Sequence, residues 1–185
     1  GIEEAESAGF NPIKLNVVSM RGVNDDEILN FARLTYKKPY HVRFIEFMPV
    51  GEENAWSPQS FIPVEEILNL VQSLGELKPL KPAPMSGPAQ CYALEGAKGE
   101  IGFIGALSNH FCDHCNRLRL TADGQLRGCL LTDNEIDIKT PLRQGKGDDH
   151  LFDLIKNAIL NKPRDHELGE YKPRKCVRPM NSIGG

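Results

Sequence analysis

The chain has 185 residues, 40% hydrophobic and 25% charged, with a formal net charge of −3 at pH 7. That length supports one good core or two small lobes, and the balance argues against a disordered chain or a general polyanion binder. No apolar run approaches membrane-spanning length, and an odd count of five cysteines suits a reducing compartment better than a disulfide framework.

The opening, Gly1 to Phe10, has the pattern of the last turns of a helix closed at Gly9. A complete domain seldom begins inside such a pattern, so the expectation is a C-terminal portion of a longer protein. Ile13 to Ser19 predicts a β-branched strand with Lys14 and Asn16 on one face, Leu15 and Val17 on the other. Lys14 either meets a ligand in a lumen or snorkels at the strand end. Asn24-Asp-Asp-Glu27 has capping-box form and opens a helix to about Lys38, burying Ile28, Phe31, Ala32 and Thr35 before Pro39 ends it. His41 to Met48 follows as a second strand. Strand, helix and strand make a βαβ unit with a parallel sheet. Arg43 lies among apolar neighbours and needs an anion. A structural pair with the nearby Glu46 is the simpler expectation, an anionic ligand the other.

The turn-rich run from Met48 to Pro58 predicts a boundary near Val50. Pro63 starts a helix to Leu74 with Val64, Ile67, Leu68 and Val71 inward, and Glu76 to Pro88 is a proline-rich linker. Gln90 to Leu94 and Glu100 to Ala106 predict a hairpin, expected to share a small antiparallel sheet with the segment that follows it.

That segment carries the chemistry. Cys112 and Cys115 form a Cys-x-x-Cys pair, and Cys129 returns thirteen intervening residues later. Arg117 to Thr121 alternates with period two, Ala122-Asp-Gly124 turns, and Gln125 to Leu131 runs back: a hairpin that can gather three thiolates, hence a metal site. Zinc would take His110 or His114 as a fourth ligand. A four-iron cluster would instead keep one iron without a cysteine. On spacing alone zinc is the commoner use. Arg117 and Arg119 are expected on one strand face, Leu118 and Leu120 on the other, and cations beside thiolates fit an anionic ligand such as a phosphate. Thr132 to Gly147 is polar and turn-rich. Leu151 to Leu160 predicts a helix with Leu151, Leu154, Ile155, Ala158 and Ile159 inward. Cys91 and Cys176 are left as free thiols without a role, and His166 as a structural histidine.

The string HFCDHCNRLRLTADGQLRGCL, with KLNVV, MRGVNDDEI, RFIEFMPVG, GEIGFI, KPRDHEL and the terminal Gly-Gly, resembles the molybdenum cofactor biosynthesis protein A family over nearly the whole chain. These are GTP 3′,8-cyclases of the radical S-adenosylmethionine class. The resemblance implies an α/β fold: residues 1–50 as closing strands and helix of an incomplete β/α (TIM-like) barrel, and residues 51–185 as a small α+β cluster domain with antiparallel hairpins. It implies a [4Fe-4S] cluster with an open iron on Cys112, Cys115 and Cys129. Lys14, Arg43, Arg117, Leu118 and Arg119 would contact GTP, and Met48 S-adenosylmethionine. The family's Cys-x-x-x-Cys-x-x-Cys signature, which holds the S-adenosylmethionine cluster in an N-terminal half, is absent from these residues. The implied reaction converts GTP to 3′,8-cyclo-7,8-dihydro-GTP through a 5′-deoxyadenosyl radical, the first step of molybdopterin synthesis. Homodimerisation, transfer of product to cyclic pyranopterin monophosphate synthase, and no nucleic-acid or membrane partner are implied too, in bacterial cytosol or the mitochondrial matrix of a eukaryote. Gly184-Gly185 would reach toward the active site. The rival reading is a zinc module of three cysteines and one histidine contacting RNA or a protein.

Overall fold

The computed structural model describes residues 1–51, 56–82, 87–165 and 176–183. The chain forms two compact units, Gly1–Met48 with Trp56–Phe111, and Pro49–Ala55 with Cys112–Gly185. No helix among the described residues is long and apolar enough to cross a membrane.

In the first unit, helix α1 (Ile2–Ser7) ends as its sequence predicts. Gly9 takes φ +85°, the Gly9 N–H donates to Glu6 O at 2.9 Å, and the Phe10 N–H to Ala5 O at 3.1 Å. That pair of bonds satisfies two terminal carbonyls in the manner of a Schellman cap. Strand β1 (Lys14–Ser19), helix α2 (Ile28–Lys37) and strand β2 (His41–Glu46) form the expected βαβ unit, with parallel register from Lys14↔His41 to Ser19↔Glu46. Helix α2 buries Ile28, Ala32 and Thr35, with Phe31 packed against the core. The capping box does not form. Asn24 instead accepts from the Met20 N–H at 2.8 Å and donates to Val18 O at 2.9 Å, and Asp25 accepts from the Gly22 N–H at 2.8 Å. These short polar side chains satisfy the loop that enters the helix, a use that competes with capping.

Helix α3 (Val64–Gln72) buries Val64, Ile67 and Val71 as expected, with Leu68 half-buried. The proline-rich stretch is not purely a linker, because strand β3 (Leu77–Pro79) lies within it. Strands β4 (Gln90–Leu94) and β5 (Glu100–Ile104) form the predicted hairpin, but in a different sheet from the one expected. β5 pairs in parallel with β2, giving a five-stranded sheet of order β1-β2-β5-β4-β3. The reason is apolar: Ile101 and Phe103 are buried with Val42 and Phe44, and the Phe44 and Phe103 rings stack at 6.1 Å. Gly99 permits the close approach, since a Cβ there would lie 2.1 Å from Tyr40 O.

Glu46 is fully buried at the end of β2. Its carboxylate accepts from the N–H groups of Val64 (2.8 Å), Leu107 (2.7 Å) and Ser108 (3.0 Å), and from the Ser108 hydroxyl. The expected Arg43–Glu46 pair therefore does not form. Residues three apart on a strand face opposite sides of the sheet.

The second unit carries strands β6 (Arg119–Leu120), β7 (Gln125–Arg127) and β8 (Glu135–Asp137) in an antiparallel sheet of order β6-β7-β8. The hairpin is shorter than predicted and turns at Gly124, φ +86°. The stretch expected to be only turns holds β8 and helix α4 (Lys139–Arg143). Helix α5 (Asp148–Leu160) follows. Of its five predicted inward residues only Ala158 is buried; Leu151 and Leu154 are half-buried, and Ile155 and Ile159 are exposed.

Replacing Glu46 by Ala strands donors on two segments, the start of α3 and the turn after β5. The expected loss is about 3 kcal/mol of unfolding free energy, since each orphaned buried donor costs about 1–3 kcal/mol. Urea denaturation of Glu46→Ala beside the parent chain measures it.

Candidate metal centre and its cationic surround

The Cys-x-x-Cys pair wraps a single 3₁₀ turn, Cys112–His114, closed by the Cys115 N–H donating to Cys112 O at 3.1 Å. Cys129 follows β7 through Gly128. None of the three cysteines is in a disulfide, and all are half-buried. The Leu131 N–H donates to Cys129 Sγ at 3.4 Å, and Lys162 Nζ donates to Cys115 Sγ at 3.3 Å. Burial alone would raise the Cys115 thiol. The Arg117 backbone N–H and the Lys162 ammonium outweigh it, so its pKa lies below the ordinary thiol value and the ligand form is favoured. Asp165 brings a carboxylate oxygen within 4.8 Å of the Cys112 sulfur.

Among the described residues, the ligand atoms gathered within 4.8 Å of one another do not include the three sulfurs together. A tetrahedral zinc, with Zn–S of about 2.3 Å, holds its sulfurs about 3.8 Å apart. The thiols are thus not drawn in to the span of one ion. His114 and His110, the two histidines considered for a zinc site, are each exposed.

The arginines differ from their predicted placement. Arg117 precedes β6 and is exposed, so it does not share a strand face with the half-buried Arg119; Leu118 is half-buried and Leu120 is 58% exposed. Burial lowers the Arg119 pKa first, and repulsion from Arg117 and Arg127 lowers it further, while Cys115 and Cys129 oppose the shift. Three guanidinium groups and two thiols therefore act on one another within this unit. Arg127, opposite Arg119 in the ladder, escaped the sequence reading. It is fully buried, bonds Glu135 at 2.7 Å and Thr132 O, and lies 3.6 Å from Asp133. Arg178 joins the same network, holding Asp123 at 2.8 Å and Glu135 at 2.9 Å. The signal that could have found Arg127 is its place in the ladder with Glu135, which only strand pairing reveals. Lys162 was missed as well.

Lys14 and Arg43 lie in the first unit, on the sheet face opposite Val42 and Phe44. Asn16, Arg43, Gly102 and Cys91 form one row across β1, β2, β5 and β4. A Cβ at Gly102 would lie 3.0 Å from Arg43 Cγ, so the missing side chain makes room for the arginine stem. Arg43 Nε is buried with no hydrogen-bond partner among the described residues. Burial and Glu100 raise the Cys91 thiol, against Arg43 and Lys14. Met48 is half-buried, two residues past β2. Cys176 is 1% exposed, and its Sγ–H donates to Leu130 O at 3.4 Å. His166, Gly184 and Gly185 lie outside the described residues.

A family profile described as Molybdenum Cofactor Synthesis C matches residues 40–168. The chain is similar to the GTP 3′,8-cyclase of Desulforamulus reducens, at 50% identity over all of this chain and 56% of that protein. It is 48% identical to the GTP 3′,8-cyclases of Moorella thermoacetica and Thermodesulfovibrio yellowstonii, again over its full length and 56% of theirs. The chain spans a little over half the length of the curated relatives it matches, at 56%.

Arg178 and Thr121 hold the Asp123 pKa down to about 2, against an ordinary 3.8. A depressed carboxylate contributes stability above its unfolded pKa and loses it as pH falls through the folded value. The stability gap between the parent chain and Asp123→Asn is expected to be constant above about pH 5 and to close as pH falls from there through about 2. Denaturation midpoints across that range test it.

Proposed function

Because the chain belongs to the Molybdenum Cofactor Synthesis C family, we propose that it is the C-terminal part of a GTP 3′,8-cyclase, holding a [4Fe-4S] cluster and contacting GTP. The observation that carries this is a set of three half-buried cysteines outside any disulfide, in one unit with Arg117, Arg119 and Lys162 around them. The donor set fits such a cluster. Its three cysteines offer sulfur donors, and Cys129 and Cys115 receive N–H···S hydrogen bonds. Cys112, Cys115 and Cys129 would hold it, and when bound it supplies an iron free to ligate the substrate's base.

The chain's own residues then bind and orient the nucleotide. Arg117 and Arg119 counter its charge beside the thiols, with Leu118 against it. Lys14 and Arg43 take ribose and triphosphate oxygens, and the unpartnered Arg43 Nε supports an anionic acceptor there. Met48, just past the C-terminal end of β2, is the contact for S-adenosylmethionine, at the strand end where barrel enzymes keep their chemistry. The parallel β1 and β2 support reading residues 1–50 as closing strands of a β/α barrel, and within residues 51–185 the unit that carries Cys112–Gly185 would hold the cluster. The radical chemistry needs S-adenosylmethionine on a second [4Fe-4S] cluster in an N-terminal part. The whole protein would be a homodimer of bacterial cytoplasm whose product passes to cyclic pyranopterin monophosphate synthase.

Anaerobic reconstitution is expected to load about four iron and four sulfide per chain, both lost in Cys112→Ser, with added GTP changing the cluster's spectrum. Stoichiometric zinc without sulfide would sink the reading.

The chain by itself is expected to yield no cyclised GTP with S-adenosylmethionine and reductant. Of its five cysteines three serve one cluster, and the two remaining are too few for another three-cysteine site. Product above background in chromatography would contradict this.

A further inference from the structure

We propose that Lys162 is a positioning residue for the cysteine site, joining both cysteine-bearing segments to the end of α5 and tuning the reduction potential of what they hold. Lys162 lies two residues past the end of that helix. Its ammonium donates to Cys115 O at 2.7 Å, Arg117 O at 2.9 Å and Cys115 Sγ at 3.3 Å. An ammonium has three N–H donors, and here there are three acceptors. Two carbonyls fix the backbone on either side of Asn116, and the sulfur receives the charge.

The second segment is held by packing. A Cβ at Gly128 would lie 3.1 Å from Ala158 O and 3.8 Å from Lys162 Cα, so the helix end sits directly on the backbone beside Cys129. Ala158 is the one residue of α5 that is buried. The helix end and its lysine thus set the separation of Cys115 and Cys129. A planar guanidinium could not address the same three points, because its donors lie in a fixed fork.

A cation hydrogen-bonded to a ligand sulfur stabilises the added electron, so its loss moves the potential to more negative values. This rests on the cluster reading, and one experiment on the chain separates the two. After anaerobic reconstitution, the parent chain, Lys162→Met and Lys162→Gln are compared for iron release to a chelator and for midpoint potential by EPR redox titration. Lys162→Met is expected to release iron about tenfold faster. Its reduction equilibrium is expected to fall about tenfold, or about 59 mV for one electron. Lys162→Gln removes the charge but keeps a donor, and it carries the potential measurement if the methionine variant does not fold. A loaded variant within twofold of the parent chain in both readouts overturns the proposal alone. A parent chain that takes up no iron overturns the cluster reading and this inference with it.

Discussion

A single buried carboxylate organises the first unit. Glu46 ends β2, lies at the N-terminus of α3 and holds the turn after β5. An isolated buried charge costs several kcal/mol, and only dense hydrogen bonding offsets it. Glu46 has three backbone N–H donors, a hydroxyl and the positive end of a helix. Its geometry also settles the neighbouring arginine. The two-residue period of β2 sends Val42, Phe44 and Glu46 into the core and leaves Arg43 on the other face, beyond reach of the carboxylate. One strand therefore carries a hydrogen-bonded carboxylate on one side and, on the other, an arginine whose Nε has no partner among the described residues. Ser108, bound to the same carboxylate, lies four residues before Cys112 in the sequence.

Much of the first unit was legible because its signals are local. The Gly9 cap, the helix before Pro39, the apolar stripe of α3 and the parallel pairing of β1 with β2 follow from short-range pattern. Pairing between distant strands has no such signature. Nothing in Glu100 to Ile104 distinguishes a strand bound for β2 from one bound for the cysteine hairpin, and the buried rings of Phe44 and Phe103 decide it. The Arg43–Glu46 pair is absent for a simpler reason: residues three apart on a strand are close in sequence but take opposite faces. Helix α5 shows the opposite limit. Its apolar spacing is helical, yet Ile155 and Ile159 are exposed, since periodicity gives a stripe and not the surface that covers it.

In the second unit, sequence sees three arginines near three cysteines, and partners sort them. Arg127 is fully buried and bound to Glu135 beside Asp133, so it is structural: removing one member of such a set leaves an uncompensated buried charge. Arg178 completes that network from the far end of the chain, at a separation no motif encodes. Arg119, half-buried, is acted on by two other guanidinium groups, and the Cys115 and Cys129 thiols oppose them. Burial in company of like charge is unfavourable by itself and makes sense where anions are expected.

A metal would rest on the thiols, and an anionic ligand on the cations beside them. Three thiolates around either a zinc ion or a four-iron cluster in its usual oxidised state leave a small net negative charge. Arg117, Arg119 and Lys162 face it, with Asp165 within 4.8 Å of the Cys112 sulfur and Arg127 already matched by Glu135. Guanidinium and ammonium groups beside thiols suit an anionic ligand, because charge-assisted hydrogen bonds are shorter and roughly twice as strong as neutral ones.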